Sequence, residues 1–204
     1  MIKNITKIAL LTFVGMTSTA VNAQVEEGNV IIDTYYGFPN LYTAVFKTAY
    51  ANSGTELDLK VSGLGPVGIR GEYLVSDKFG IGLDIHYQQS VADYNQASNS
   101  SNNPVIYNYN FKTTKIAIMP SFNFHFLEED AMDLYMQLAA GYGNREFKFT
   151  STEPGYTMPV IKGLVPVAFR IAVGYRYFFT ENLGINMAVG LGGPLVSGGL
   201  SLKF

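Results

Sequence analysis

The 204-residue sequence has no cysteine, no tryptophan, only 2 histidines and no run of lysine or arginine. Without cysteine there is no disulfide framework, no thiolate zinc site and no thiol nucleophile. Without a basic run, and with a formal net charge of −2, a nucleic-acid partner is not expected. Charged residues make up only 15% of the chain, against about a quarter in an ordinary soluble domain. Beyond residue 23 there is no stretch of about 18 consecutive apolar residues, so no transmembrane helix is expected. Hydrophobic residues are nonetheless 48% of the chain, which argues against disorder. The length suits one domain whose core needs no staple.

What is present begins with an export signal. Lys3 and Lys7 precede an apolar stretch from Ile8 to Val14, too short to span a bilayer, and Val21-Asn22-Ala23 fits a cleavage site. Residues 1–23 are therefore expected to be a signal peptide and 24–204 the mature domain. Removal of the signal lowers Lys+Arg from 14 to 12 while Asp+Glu stays 16, giving a mature charge of −4.

The mature chain alternates apolar and polar residues with a period of two. Ile81, Leu83, Ile85 and Tyr87 form one such row, and Ile116, Ile118, Pro120, Phe122, Phe124 and Phe126 another. Leu134 to Tyr142, Val165 to Tyr177 and Leu183 to Leu191 repeat the pattern, with no charge on any apolar face. The pattern predicts eight strands near 28–37, 62–75, 79–91, 107–126, 132–150, 162–178, 183–191 and 195–204. Short turns are expected at 76–78, 128–130 and 180–182, and longer polar loops at 38–61, 92–106 and 151–161. Residues 97–103 read as a flexible loop by composition.

Short turns at one end and long loops at the other suggest an all-β, eight-stranded antiparallel up-and-down transmembrane β-barrel. A soluble lipocalin-like barrel would turn the apolar face inward. Here the opposite face carries mid-strand charge, at Arg70, Glu72, Asp84, Arg170 and Arg176, together with many glycines suited to a narrow lumen. Aromatics gather near the short turns, at Tyr73, Phe122, Phe124, Phe126, Tyr175, Tyr177 and Phe204, as an interfacial girdle would. The apolar bands at 116–126 and 134–142 match the roughly 9–11 residues of a tilted membrane strand. Pro120 lies on the apolar face and removes one ladder donor.

The final residues, Ser197-Gly198-Gly199-Leu200-Ser201-Leu202-Lys203-Phe204, look like the last-strand signal that the barrel-assembly machinery reads. With the signal peptide and eight strands, the chain resembles the small OmpA/OmpX-type outer-membrane β-barrel family. The resemblance implies the outer membrane of a diderm bacterium, periplasmic termini, and lipid and assembly machinery as partners. It implies no activity, since the fold hosts structural proteins, adhesins, narrow channels and lipid enzymes. A periplasmic peptidoglycan-binding domain is not expected after the last strand.

Pairing parity predicts that Arg70 faces Asp84 inside the barrel, with Glu72, Arg170 and Arg176 available to extend a charge network. Such a network serves as a structural plug or as a gated ion path. Farther from the short turns the inward positions become aromatic: Tyr107, Tyr109 and Phe111, then Phe147 and Phe149. A pairing of Phe111 with Phe147 is expected, in a cluster facing the barrel mouth. This would be a lid holding the hairpin together, or a contact surface for an extracellular partner or small apolar ligand.

His125 is expected inward, near Asp133. His86 lies near Asp84, but Ser90 is about 13 Å from it along the strand, too far for a nucleophile and its base. No enzyme, metal or cofactor is expected. The sequence thus predicts a structural or surface-interaction role through the extracellular loops, with a narrow channel for small or apolar solutes as the alternative and a lipid-modifying enzyme using His86 as the third reading.

Overall fold

A computed structural model describes residues 24–51, 59–97, 105–129, 131–158, 160–162 and 165–204. The expected signal peptide and most of the loop at 97–103 lie outside the described residues. In chain order the elements are β1 (Val30–Phe38), α1 (Leu41–Ala51), β2 (Lys60–Ser76), β3 (Phe79–Ala97), β4 (Ile106–Glu129), β5 (Met132–Ser151), β6 (Ile161–Lys162), β7 (Val167–Phe178), β8 (Leu183–Leu191) and β9 (Val196–Lys203). Every neighbouring pair is antiparallel, and β1 pairs with both β2 and β9, so the sheet closes on itself. Eight strands make the barrel; β6 is a two-residue strip against the far end of β5.

Alternation decides which way each side chain points. On β7, Ala168, Arg170, Ala172, Gly174 and Arg176 are buried, while Val167, Phe169, Ile171 and Val173 between them are exposed. The same holds around the barrel, so the outer surface is a continuous apolar band and the lumen is polar. Phe79, Phe122, Phe124, Phe126, Tyr177 and Phe179 gather at the short-turn end, with ring centroids 5.3–6.3 Å apart. The termini meet at that end, where Val30 and Phe204 exchange backbone hydrogen bonds of 2.9 Å. Just inside, Val25, Ile31, Leu74 and Phe178 form an apolar floor.

Close approach to the lumen side chains accounts for two glycines. A Cβ on Gly174 would run into the Tyr135 ring, and one on Gly68 into the Tyr35 ring. Pro120 is accommodated where the β4–β5 ladder lapses: Ile118 pairs with Tyr142 and Ser121 with Ala139, with no pair between. Gly141 stands there, and a Cβ on it would lie 3.1 Å from Pro120 Cδ.

The structure corrects three expectations. The region 38–61 is not simply a loop, because it contains α1. Asn40 caps that helix, its Oδ1 accepting from the Thr43 amide at 3.2 Å. The single strand expected at 162–178 is divided into β6 and β7, and Pro166, which has no amide to give a ladder, stands just before β7. In the β4–β5 hairpin, residues 128–129 belong to β4 rather than the turn, and Glu129 pairs with Met132. A bulge between His125 and Leu127 then sets the register, so Phe111 pairs with Phe149, and Phe147 faces Thr113.

Strand length is uneven. β2, β3, β4 and β5 have 17, 19, 24 and 20 residues, whereas β7, β8, β9 and β1 have 12, 9, 8 and 9. At about 3.3 Å per residue, β3, β4 and β5 stand as a tall wall over a low rim formed by the short strands.

Candidate functional site

The lumen is filled by one connected set of charged side chains. Asp33 lies between Arg70 on β2 and Ser201 on β9 by register. It accepts from Arg70 Nη1 at 3.2 Å, Arg176 Nη2 at 2.9 Å and Ser201 Oγ at 2.6 Å. Arg176 also reaches Asp133 Oδ2 and Glu72 Oε2, each at 2.7 Å. Arg70 is directly opposite Asp84 and meets it at 3.5 Å. Asp84 further accepts from Tyr35 Oη at 2.6 Å and Gln137 Nε2 at 3.4 Å. Arg170 donates to Gln137 Oε1 at 3.1 Å and lies 3.8 Å from Asp84. Arg70 Nη1 also donates to the Tyr135 hydroxyl. The rings of Tyr35 and Tyr135 lie beneath the guanidiniums, Arg176 being 4.1 Å from the Tyr135 centroid.

His125 sits between two carboxylates, Nδ1 at 2.7 Å from Asp133 Oδ1 and Nε2 at 2.8 Å from Glu72 Oε1. Ionised carboxylates only accept, so both ring nitrogens donate, which is the imidazolium form. Four carboxylates (Asp33, Glu72, Asp84 and Asp133) then balance Arg70, Arg170, Arg176 and His125. All eight are at most 3% exposed. Parity reasoning located Arg70, Glu72, Asp84, Arg170 and Arg176 but missed Asp33, which joins two of the three arginines.

The second candidate site is at the mouth. Tyr107, Tyr109, Phe111, Phe147 and Phe149 fall on the inner face of the tall wall. Phe111 lies 4.4 Å from Phe149 and stacks on Phe147 at 6.1 Å. Two residues not named by the sequence reading extend the cluster. Tyr94 stacks on Tyr109 at 5.2 Å, and Tyr156 meets Tyr109 edge-on at 5.6 Å. A cleft of ≈ 180 Å³ opens among Ala92, Tyr94, Tyr109, Phe111, Phe149 and Tyr156. The Tyr109 hydroxyl donates to Glu153 at 2.7 Å, and that bond to a carboxylate holds the phenol's pKa above its ordinary value.

Between the two sites lies His86, 2% exposed, with Nδ1 3.6 Å from Asp84 Oδ1. Ser90 is committed elsewhere: it donates to Asn40 Oδ1 at 2.8 Å and accepts from Thr43 Oγ1 at 3.3 Å. The cap residue of α1 therefore anchors the start of the helix to β2 and β3, with Asn40 Nδ2 also donating to the carbonyls of Leu64 and Gln89.

No family model and no curated protein matches the sequence. Among solved structures the chain is similar to the outer membrane protein OprG from Pseudomonas aeruginosa, at 12% identity over 90% of this chain and 99% of that one, TM-score 0.49. It is similar to the N-terminal β-barrel domain of OprF from the same organism, at 12% identity over 88% and 99%, TM-score 0.45. It is also similar to Ail, the attachment invasion locus protein of Yersinia pestis, at 14% identity over 87% and 99%, TM-score 0.38. At these identities the likeness is one of fold.

Proposed function

We propose that this chain is an outer-membrane β-barrel of a diderm bacterium, sealed through its lumen and acting at its loop end as a structural or surface-interacting protein. The inversion of polarity carries this reading. The charges are inside, while Ile81, Ile116, Ile118, Phe122, Leu138, Ile171, Val189 and Leu200 are 42–63% exposed around the outside. In water so large an apolar surface would be an aggregation hazard, whereas in a bilayer it is the contact surface. In this reading the signal peptide is removed, both termini are periplasmic, and β9 presents Leu200 and Leu202, with Phe204 just after it, outward to lipid and to the assembly machinery.

Topology tests the reading, and the absence of cysteine makes the test clean. A single cysteine at T157C, among the long loops, reacts with a membrane-impermeant maleimide in intact cells. One at D77C, in a short turn, reacts only after the envelope is permeabilised. The reverse pattern, or labelling of neither in cells that hold folded protein, contradicts the reading.

The aromatic cleft favours one more specific role, contact with a small apolar ligand bearing a flat ring, since Tyr109, Phe111 and Phe149 line a cavity of ring size. Line broadening of 4-fluorobenzyl alcohol in 19F NMR is expected with the wild-type barrel and lost in F111A. Equal broadening by both removes this role.

A further inference from the structure

The aromatic cleft at the mouth has charge of one sign beside it. Among the described residues that line it, Tyr94, Tyr109, Phe111, Phe149 and Tyr156 carry rings, and none is a lysine, arginine or histidine. Lys112 and Lys148 are sequence neighbours of Phe111 and Phe149, but they pair with each other one step along the ladder and fall on the opposite face of the wall. Glu153 is brought to the cleft by three hydrogen bonds. Its amide donates to Ser151 Oγ at 3.1 Å, its carbonyl accepts from the Tyr156 amide at 3.1 Å, and its Oε2 accepts from the Tyr109 hydroxyl at 2.7 Å. The first two hold the turn that also supplies the Tyr156 ring. The third sets the carboxylate against the hydroxyl of a lining ring.

That carboxylate has acceptor capacity left. An ionised carboxylate offers about four lone-pair sites, and Tyr109 takes one of them. Among the described residues no lysine, arginine or histidine forms an ion pair with Glu153. The Tyr109 oxygen, having given its proton to Glu153, is itself an acceptor. The edge of the cleft thus presents two acceptor oxygens side by side, one of them charged, next to a cavity lined by rings.

Resting on the ring-ligand reading above, we infer that the occupant of the cleft is an arylalkylammonium, with its flat ring in the cavity and a primary ammonium on a short arm bonded to Glu153 and the Tyr109 oxygen. A neutral ring compound fills the cavity but leaves the carboxylate unanswered. An aryl carboxylate of the same shape sets like charges together. The ammonium brings three donors to two acceptors that the fold already holds in place, so the charge-assisted bond forms with little ordering cost. The cleft then selects by charge among ligands of one shape.

The test titrates the full barrel, in nanodiscs of zwitterionic phosphatidylcholine, with 4-fluorobenzylamine, 4-fluorobenzyl alcohol and 4-fluorophenylacetate. The 19F line of each ligand is read against empty discs. The amine is expected to bind roughly ten-fold tighter than the alcohol, the gain of one charge-assisted hydrogen bond, and the phenylacetate weaker than either. E153Q, first checked for the heat-modifiable electrophoretic mobility of a folded barrel, is expected to abolish the difference between amine and alcohol. Both ligands are read in the same variant, so a general disturbance of the cleft cancels from their ratio. If amine and alcohol bind the wild type equally and both are lost in F111A, the ring reading stands and the ammonium inference is overturned. A preference for the amine that survives in E153Q overturns it too, because the charge is then recognised elsewhere, as does tightest binding of the phenylacetate. If none of the three ligands is broadened by the wild type, the ring reading fails and this inference fails with it.

Discussion

Asp33 accepts hydrogen bonds from Arg70, Arg176 and Ser201, which come from three different strands. Removing it leaves two buried guanidiniums short of a counter-charge, and breaking a buried ion pair from one side costs about 3–5 kcal/mol. D33A is expected to lower the stability of the folded barrel by that order, read from urea unfolding in phospholipid vesicles; an unchanged midpoint would contradict the network. His125 offers a second check at this scale. With both nitrogens donating to carboxylates, its two ring 15N shifts are expected to be nearly equal at neutral pH, as in an imidazolium, and a wide split would show a single tautomer. The lumen arginines were legible in the sequence because they fall mid-strand on the face opposite an unbroken apolar row. Asp33 was not, because Val30, Ile31 and Ile32 run apolar across both faces of β1 and hide its parity. Its partners Arg176 on β7 and Ser201 on β9 are also brought near only by closure of β1 on β9, which no hairpin pattern reveals.

Elements show the same division between local and long-range information. Strand existence was legible from period-two alternation, and the β2–β3 register from a charge pairing that admits one satisfactory solution. The β4–β5 register was not, since one bulge near His125 and a turn placed later than expected move every partner. A pair of cysteines distinguishes the two registers. Direct partners have Cβ atoms about 4.5–5.5 Å apart and diagonal ones about 7–8 Å. F111C with F149C is expected to form a disulfide on mild oxidation and F111C with F147C to remain reduced; the opposite result would restore the original pairing. Helix α1 carried a readable signal, an Asn cap ahead of a helix-forming run, obscured by reading the whole segment as loop. N40A removes the cap and its ties to β2 and β3. A lost cap costs about 0.5–2 kcal/mol, so faster amide exchange is expected in α1 with β7 and β8 unchanged. Equal exchange in α1 would mean that the cap does not hold it.

At the scale of the molecule, three features combine: an apolar exterior, a charge-balanced lumen and unequal wall heights. An apolar floor at Val25, Ile31, Leu74 and Phe178 underlies the ion network, and the proposed seal rests on these two layers. The height of β4 and β5 was legible, since their expected spans, 107–126 and 132–150, are about twice those of 28–37 and 183–191; the height of β3 was not, because residues 92–97, read as loop, continue that strand. Ion conductance of the refolded barrel in a planar lipid bilayer tests the sealed lumen most directly. Folded wild-type protein is expected to give no unitary steps at any applied voltage that the bare bilayer withstands. Reproducible steps from the folded wild-type barrel would contradict the account, because ions would then be crossing a layer in which Asp33, Asp84, Arg170 and Arg176 have no exposed surface.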